Sequence, residues 1–443
     1  MSNPGSSPGL HRGVPRRAPG LRLAPFRGLR YVPERVGSLS AVTSPPYDVV
    51  VRPDGLDHLE TLDPYNIVRL TLPRDGDIST RHAQAARTLR RWLDDGVLAA
   101  DPEPALYVYE QRPRDGGVQR GLIGALRLTG PEERVVLPHE SVMPEPVADR
   151  AGLMRATAAN LEPLLLAYRG DEAGAAARLV ERTAGLPPLL ATTTEDGTRH
   201  RLWAVTDPHD IAAVDADLAP RQALIADGHH RWATYLRLLA ERPADDPGAW
   251  DHGLVLLVDT ARYPLRVRAI HRVLRELPVA DALAAVRGAF SVREVRGPLD
   301  GALEALASAT AQGGDGSGRN AFLLAGDGRF HLLTRPDEHL VAEAVPQDQP
   351  RAWRELDATV LHSLLIDRVW RVPDSPEHIG YVHDAPAAVR QAERLGGTAV
   401  LMHPVAEHTV LELAREGVMM PRKSTSFGPK PASGLVLRSV EAD

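Results

Sequence analysis

Apolar residues fall in short blocks, separated by turns that contain Asp-Gly, in three stretches: ALYVYEQRPRDGGVQRGLIGALRLT (105–129), LLATTTEDGTRHRLWAVT (189–206) and AFLLAGDGRFHLLTR (321–335). Asp-Gly supplies the positive φ that tight hairpin turns need, so each stretch predicts a pair of antiparallel strands. Five other stretches repeat their apolar positions at helical spacing: RHAQAARTLRRWLDDG (81–96), GAAARLVERTAG (174–185), HRWATYLRLLAER (230–242), ALAAVRGAF (282–290) and DATVLHSLLIDRVW (357–370). Hairpins interleaved with helices predict an α+β, mixed α/β fold rather than a doubly wound one. No self-similarity appears at a period near thirty residues.

The order of these elements places a boundary near residue 275, after HRVLREL. A first domain is expected over 21–275 and a smaller α/β domain over 276–443. The second contains a flexible loop at 308–320, a strand–helix–strand at HIGYVHDAPAAVRQAERLGGTAVLMHP and a terminal lysine-containing loop. Residues 1–20 read as a disordered basic tail, since the first thirty-three residues hold six arginines and no acid. They contain no apolar core of a signal peptide.

At 443 residues the chain is long enough for two cores. Its longest apolar runs, such as GLVLLVD (253–259), are too short to span a bilayer, and a cytoplasmic protein with no membrane partner is expected. The absence of cysteine removes disulfides, thiolate nucleophiles and Cys-ligated metals. The net charge of −6 argues against nucleic acid as a partner. Of the fifty-two basic residues only Lys423 and Lys430 are lysines, both in MPRKSTSFGPKPASG. In so arginine-biased a chain, a surviving lysine points to places where a compact ammonium matters, and replacing either by arginine is expected to impair activity.

Three polar loops carry the candidate chemistry. In LIADGHHRWATYLRLLAE (224–241) a short strand runs into Asp227-Gly228, and a helix follows with Trp232, Tyr235, Leu236 and Leu239 on its buried face. The free N–H groups and positive dipole end of such a helix, with Gly228 allowing close approach and His229, His230 and Arg231 adding donors, suit a phosphate. The same residues also suit Asp227 as a simple N-cap with the histidines capping or solvated. Zinc fits His229-His230 less well, because adjacent helical residues diverge and no third ligand stands at a diagnostic spacing. In VVLPHESVMPEPVADRAGLMRATAANLEP (135–163), His139-Glu140 follows a strand and Asp149-Arg150 opens a helix. There Glu140 is a candidate base, and Asp149 a cap or a magnesium ligand. In the lysine loop, prolines and glycines argue against regular structure and leave the hydroxyls of Ser424, Thr425 and Ser426 and two ammoniums for a polyanion. SPPYDVV (44–50) offers Asp48 to a metal or an ammonium, and NIVRL (66–70) places Arg69 in an otherwise apolar strand.

PFRGLRY, SPPYDVV, NIVRL, HESVMPEPVADR, ADGHHRWAT, HRVL (271–274), LDATVLH (356–362) and MPRKSTSFGPKPASGLV occur together and in order. On these the chain resembles the prokaryotic family filed as domain of unknown function 1015, over about residues 21–437. DGHHR also resembles the nucleotide-binding motif of the ParB/sulfiredoxin superfamily, which includes CTP-hydrolysing partition proteins and free-serine kinases. Sulfiredoxin activity is excluded, because His229 stands where that chemistry needs cysteine. The resemblance implies a ParB/sulfiredoxin-like N-terminal domain that binds ATP, ADP or CTP with magnesium. It further implies phosphoryl transfer to a small hydroxylated metabolite, free serine foremost. The alternatives are a phosphohydrolase and a nucleotide-gated binding protein. The reading assigns Glu140, His139 and Asp227 to catalysis, and Gly228, His229, His230, Arg231, Lys423, Ser424 and Lys430 to phosphates. Asp48, Arg69 and Arg150 are assigned to substrate, and Asp149 to magnesium. The oligomeric state is left open.

Overall fold

The computed structural model describes residues 20–45, 55–74, 76–114, 116–242, 248–311 and 320–441. The expected tail before Gly20, together with Tyr47 and Asp48, lies outside the described residues. The mixed α/β fold expected from the pattern is present. The first two hairpins form as Leu106–Arg112 with Gln119–Arg127 and Leu190–Thr193 with Arg199–Val205. Both belong to a nine-stranded sheet whose centre is His252–Asp259 and Leu164–Tyr168. The third hairpin, Phe322–Gly326 with Arg329–Thr334, belongs to a six-stranded antiparallel sheet that also holds His271–Leu274, Ile379–Val382 and Thr398–Met402.

One feature of the first sheet positions the site. Its edge strand Val136–Leu137 runs parallel to Ala223–Asp227, with Val136 opposite Ala223. Parallel neighbours end on the same side, so the loops that follow both strands leave the sheet together, where parallel strands of α/β proteins present ligands. The loop after the first strand carries His139 and Glu140; the loop after the second carries Gly228 to Arg231.

The helix His229–Ala240 packs back on this sheet through Trp232, Tyr235 and Leu238, all buried. Each contributes about 1.5–3 kcal/mol of apolar burial. Leu236 and Leu239, expected on the same face, are only partly buried against it. Tyr235 lies so close to Gly253 that a Cβ there would meet its ring at 2.4 Å.

The six-stranded sheet is covered on both faces. Leu299–Ala311 and Ala385–Leu395 pack on one side. Val279–Ala285 and the segment from Asp357 to Trp370 pack on the other. The latter begins as the α-helix Asp357–Val360 and widens into a π-helix over Leu361–Trp370. Helix Leu299–Ala311 includes residues 308–311 of the expected loop, and most of the rest of that loop lies outside the described residues. The chain then returns: Ser426–Gly428 pairs with Arg266–Arg268, and Leu437–Ser439 pairs with Gly28–Tyr31 and Ala159–Asn160. This return brings the lysine loop against the carboxyl ends of the parallel pair. Among the described residues, no helix is long and apolar enough to cross a membrane.

Candidate functional site

Gly228 is the corner of the site. Its φ of 100° lies in the left-handed region, and a Cβ would also press on Leu164 Cγ at 3.0 Å, so only glycine turns the chain here without strain. The turn points the open end of His229–Ala240 into a cleft of ≈ 260 Å³. The lysine loop forms the opposite wall. It is tied down by a parallel bridge between Glu140 and Met420 and by the Met420 N–H donating to the His139 carbonyl at 2.8 Å.

Lys430 reaches into the cleft floor, only 10% exposed, and places Nζ 2.7 Å from Asp227 Oδ1. Arg231 Nη2 meets the other oxygen, Oδ2, at 2.7 Å, and its Nη1 donates to the Pro163 carbonyl at 3.0 Å. Burial works against ionisation of Asp227, but the Lys430 and Arg231 charges hold its carboxyl below the usual range. A carboxylate engaged on both oxygens by cations is a poor proton acceptor. Asp227, expected among the catalytic groups, therefore serves here to fix two cations, and Glu162 Oε2 stands 3.9 Å from Arg231 Nη1.

The histidines are held neutral. Burial pushes His139 down to about 3, with His229 adding to the effect, and pushes His229 down to about 4. His229 Nε2 accepts the His139 backbone N–H at 3.3 Å, and His230 Nε2 accepts that of Met143 at 3.1 Å, so each neutral ring carries its proton on Nδ1. His139 Nε2 bonds Thr425 Oγ1 at 3.0 Å, and its ring sits edge-on to His229 and Phe427. His139 thus orients the lysine loop. His230 is also lowered, by burial first and then by Lys423, Arg422 and Arg150, against Glu140.

Glu140 is half-buried at the cleft wall, and its Oε1 accepts the Lys423 backbone N–H at 3.1 Å. Five basic side chains, Arg150, Arg231, Arg422, Lys423 and Lys430, line the cleft against three acids, Glu140, Glu162 and Asp227.

The structure thus brings together His139, Glu140, Arg150, Asp227 to Arg231, Lys423 and Lys430. Three expected residues lie elsewhere. Ser424 gives its hydroxyl to the Pro421 carbonyl and lines a neighbouring cavity, leaving Thr425 to face the cleft. Arg69 lies in the short helix Val68–Thr71, not a strand, and donates to the Glu60 carbonyl at 2.7 Å. Asp149 does not open its helix, which starts at Pro144, and it bonds His82 Nε2 at 2.9 Å beside a separate cavity. Asp227, taken by two cations, is unsuited to a resident magnesium, while Glu140 has one oxygen, Oε1, engaged by the loop. Among the described residues, no group of three or more His, Asp or Glu could hold a metal. Arg422, Glu162 and His383 also line the cleft, although nothing local in their stretches of sequence marks them for it.

A model of the family described as protein of unknown function (DUF1015) matches residues 23–359. The chain belongs to this family. No curated protein matches this DUF1015 member. Among solved structures it is similar to a free serine kinase in complex with AMP, at 15% identity over 66% of this chain and 83% of that one, with a TM-score of 0.34. It is also similar to a conserved hypothetical protein from Pyrococcus furiosus, at 15% identity over 70% and 94%, with a TM-score of 0.34. SbnI with a C-terminal truncation, from Staphylococcus aureus, shares 8% identity over 66% and 79%, with a TM-score of 0.32. Likenesses this distant carry no argument about what the DUF1015 cleft does.

Proposed function

We propose that the cleft binds the phosphates of a nucleotide, ATP, ADP or CTP, and transfers a terminal phosphoryl group to the hydroxyl of a small metabolite, free serine foremost. One observation carries this reading: five basic side chains and an open helix N-terminus line one cleft together with Glu140, a carboxylate oriented by the lysine loop. Positioning and charge neutralisation dominate such transfers. The acceptor oxygen attacks the terminal phosphorus, the bond from phosphorus to the bridging oxygen breaks, and the shortened nucleotide leaves. The acceptor proton passes to Glu140. Lys430 and Arg231, held in place by Asp227, face the phosphates, while Arg422 and Lys423 at the rim attract them.

Glu140→Gln is the direct test. Phosphoryl transfer should fall by about 10²–10⁴-fold, with nucleotide affinity changed by less than about threefold. Full ATP-dependent phosphorylation of an acceptor by the Gln variant would sink the role of Glu140. Steady release of inorganic phosphate that no acceptor diverts would instead mark a phosphohydrolase using the same cradle.

A further inference from the structure

A second cavity, of ≈ 210 Å³, opens on the far side of the lysine loop. His383, Ser426, Phe427 and Lys430 line both it and the cleft, so the two adjoin at Lys430. Its character differs. Pro113, Pro429 and Phe427 give it flat apolar walls, with Arg268 exposed at the mouth. Apart from Lys430, no residue given a role in the proposed phosphate chemistry lines it.

One edge is polar and fixed by a chain of hydrogen bonds. The Ala432 N–H donates to Tyr109 Oη at 3.3 Å, which bonds His200 Nδ1 at 2.8 Å. His200 Nε2 meets Thr194 Oγ1 at 3.1 Å, and that hydroxyl donates to Asp196 Oδ1 at 2.6 Å. Because the Thr194 proton goes to Asp196, His200 donates from Nε2 and accepts the Tyr109 proton at Nδ1. Burial keeps this ring neutral, pushing it down to about 4. Every donor in the chain is thereby used. The group left to face a ligand is the Asp196 carboxylate: Oδ1 takes the Thr194 hydroxyl and the Thr198 N–H, and Oδ2 takes the Thr198 hydroxyl, which leaves Oδ2 room for one more donor. Burial opposes its ionisation, but hydrogen bonds from Thr194 and Thr198 outweigh this and hold it below the usual carboxylate range.

Apolar walls, an acceptor edge, a guanidinium at the mouth and a wall shared with a cationic cleft describe one kind of occupant. We propose that this cavity holds the heterocyclic base of the nucleotide whose phosphates lie in the cleft, and that it selects a base with an exocyclic amino group. The inference rests on the nucleotide reading above. The amino group donates to Asp196, the ring lies between the prolines and Phe427, and the linking sugar crosses the loop at Ser426 and Lys430.

The test is calorimetric titration of the full chain with tripolyphosphate, ribose 5-triphosphate, CTP and UTP, combined with photolabelling by an azido-adenine nucleotide. Tripolyphosphate should bind, CTP should bind at least about tenfold tighter than ribose 5-triphosphate and UTP, and the label should fall within residues 194–200 or 427–432. Equal affinities for CTP, UTP and ribose 5-triphosphate, or a label elsewhere, would overturn the base cavity while leaving the phosphate cleft standing. CTP and UTP binding alike but both tighter than ribose 5-triphosphate would overturn the amino-group selection. If neither tripolyphosphate nor any nucleotide bound, the proposed function would fall, and this inference with it.

Discussion

Two clusters in this molecule bury cations beside histidines, and only one of them is built to meet a ligand. In the cleft, Lys430 and Arg231 share Asp227, and an opening lies above them. In the six-stranded sheet, Arg272 is fully buried, and the Tyr381 and Asp374 side chains favour its charge. Its Nε and Nη2 donate to His362 Nε2 at 3.3 and 3.1 Å, it caps the Ile270 carbonyl, and its guanidinium lies 5.0 Å from the Tyr381 ring centroid. Burial alone pulls Arg272 down to about 10. Both clusters join segments far apart in the chain: HRVL meets LDATVLH in the second, and DGHHR meets the lysine loop in the first. Joining distant polar segments therefore does not separate chemistry from architecture. An open cavity and an oriented acceptor do.

The largest effect expected from this contrast is on folding. Arg272→Ala should cost about 3–5 kcal/mol by chemical denaturation, since it leaves a hole and an unpaired His362, while any folded fraction still binds nucleotide. Arg272→Met, which keeps the volume, should cost less. Loss of nucleotide binding in a folded Met variant would break the distinction. In the cleft, Lys430→Met should cost about 3 kcal/mol by leaving Asp227 with one cation, and should abolish binding as well. Lys430→Arg, which keeps the charge, should weaken nucleotide binding about tenfold, because a planar fork does not fit the place of a point charge beside Arg231.

A pH titration of stability should treat both regions alike. His139 and His229 in the cleft, and His271 and His362 in the second sheet, all lie well below the ordinary histidine value because of burial. The unfolded chain takes up their protons near pH 6.5, while the folded chain resists until about pH 4 or lower. Stability should therefore fall as pH drops through this window, by up to about 1.4 kcal/mol per pH unit for each ring. A flat profile between pH 6.5 and 4.5 would contradict the neutral assignments. The smallest effect is expected at Lys423, whose side chain is exposed at the rim: Lys423→Arg should change nucleotide affinity by less than about twofold. The sequence alone predicted impairment at both lysines, and the difference in burial is what separates them.

The residues of the cleft were largely legible in the sequence because its chemistry is local. Gly228 before a helix, His139-Glu140 after a strand and a stiff lysine loop each announce themselves within a few residues. What brings them together is not local. The parallel pairing of Val136–Leu137 with Ala223–Asp227, and the return of Ser426–Gly428 to Arg266–Arg268, join segments far apart in the chain, and no short pattern encodes them. The errors have similar causes. NIVRL looked like a strand by composition, but tertiary packing holds Val68–Thr71 as a short helix. The local sequence suggests that Asp149 opens its helix, but Pro144, suited to the first helical position, marks the start. Ser424 and Thr425 differ by one residue, and which of the two faces the cleft depends on how the loop enters its short strand.

The central claim is that the cleft binds nucleotide phosphates, and it is tested most directly by calorimetric titration of ATP into the wild-type chain and an Arg422→Ala/Lys423→Ala variant. Both side chains are exposed at the rim, so the fold should be undisturbed. The structure predicts saturable binding to the wild type and at least a tenfold loss in the variant. Equal affinity in the two proteins, or no binding to the wild type, would contradict it.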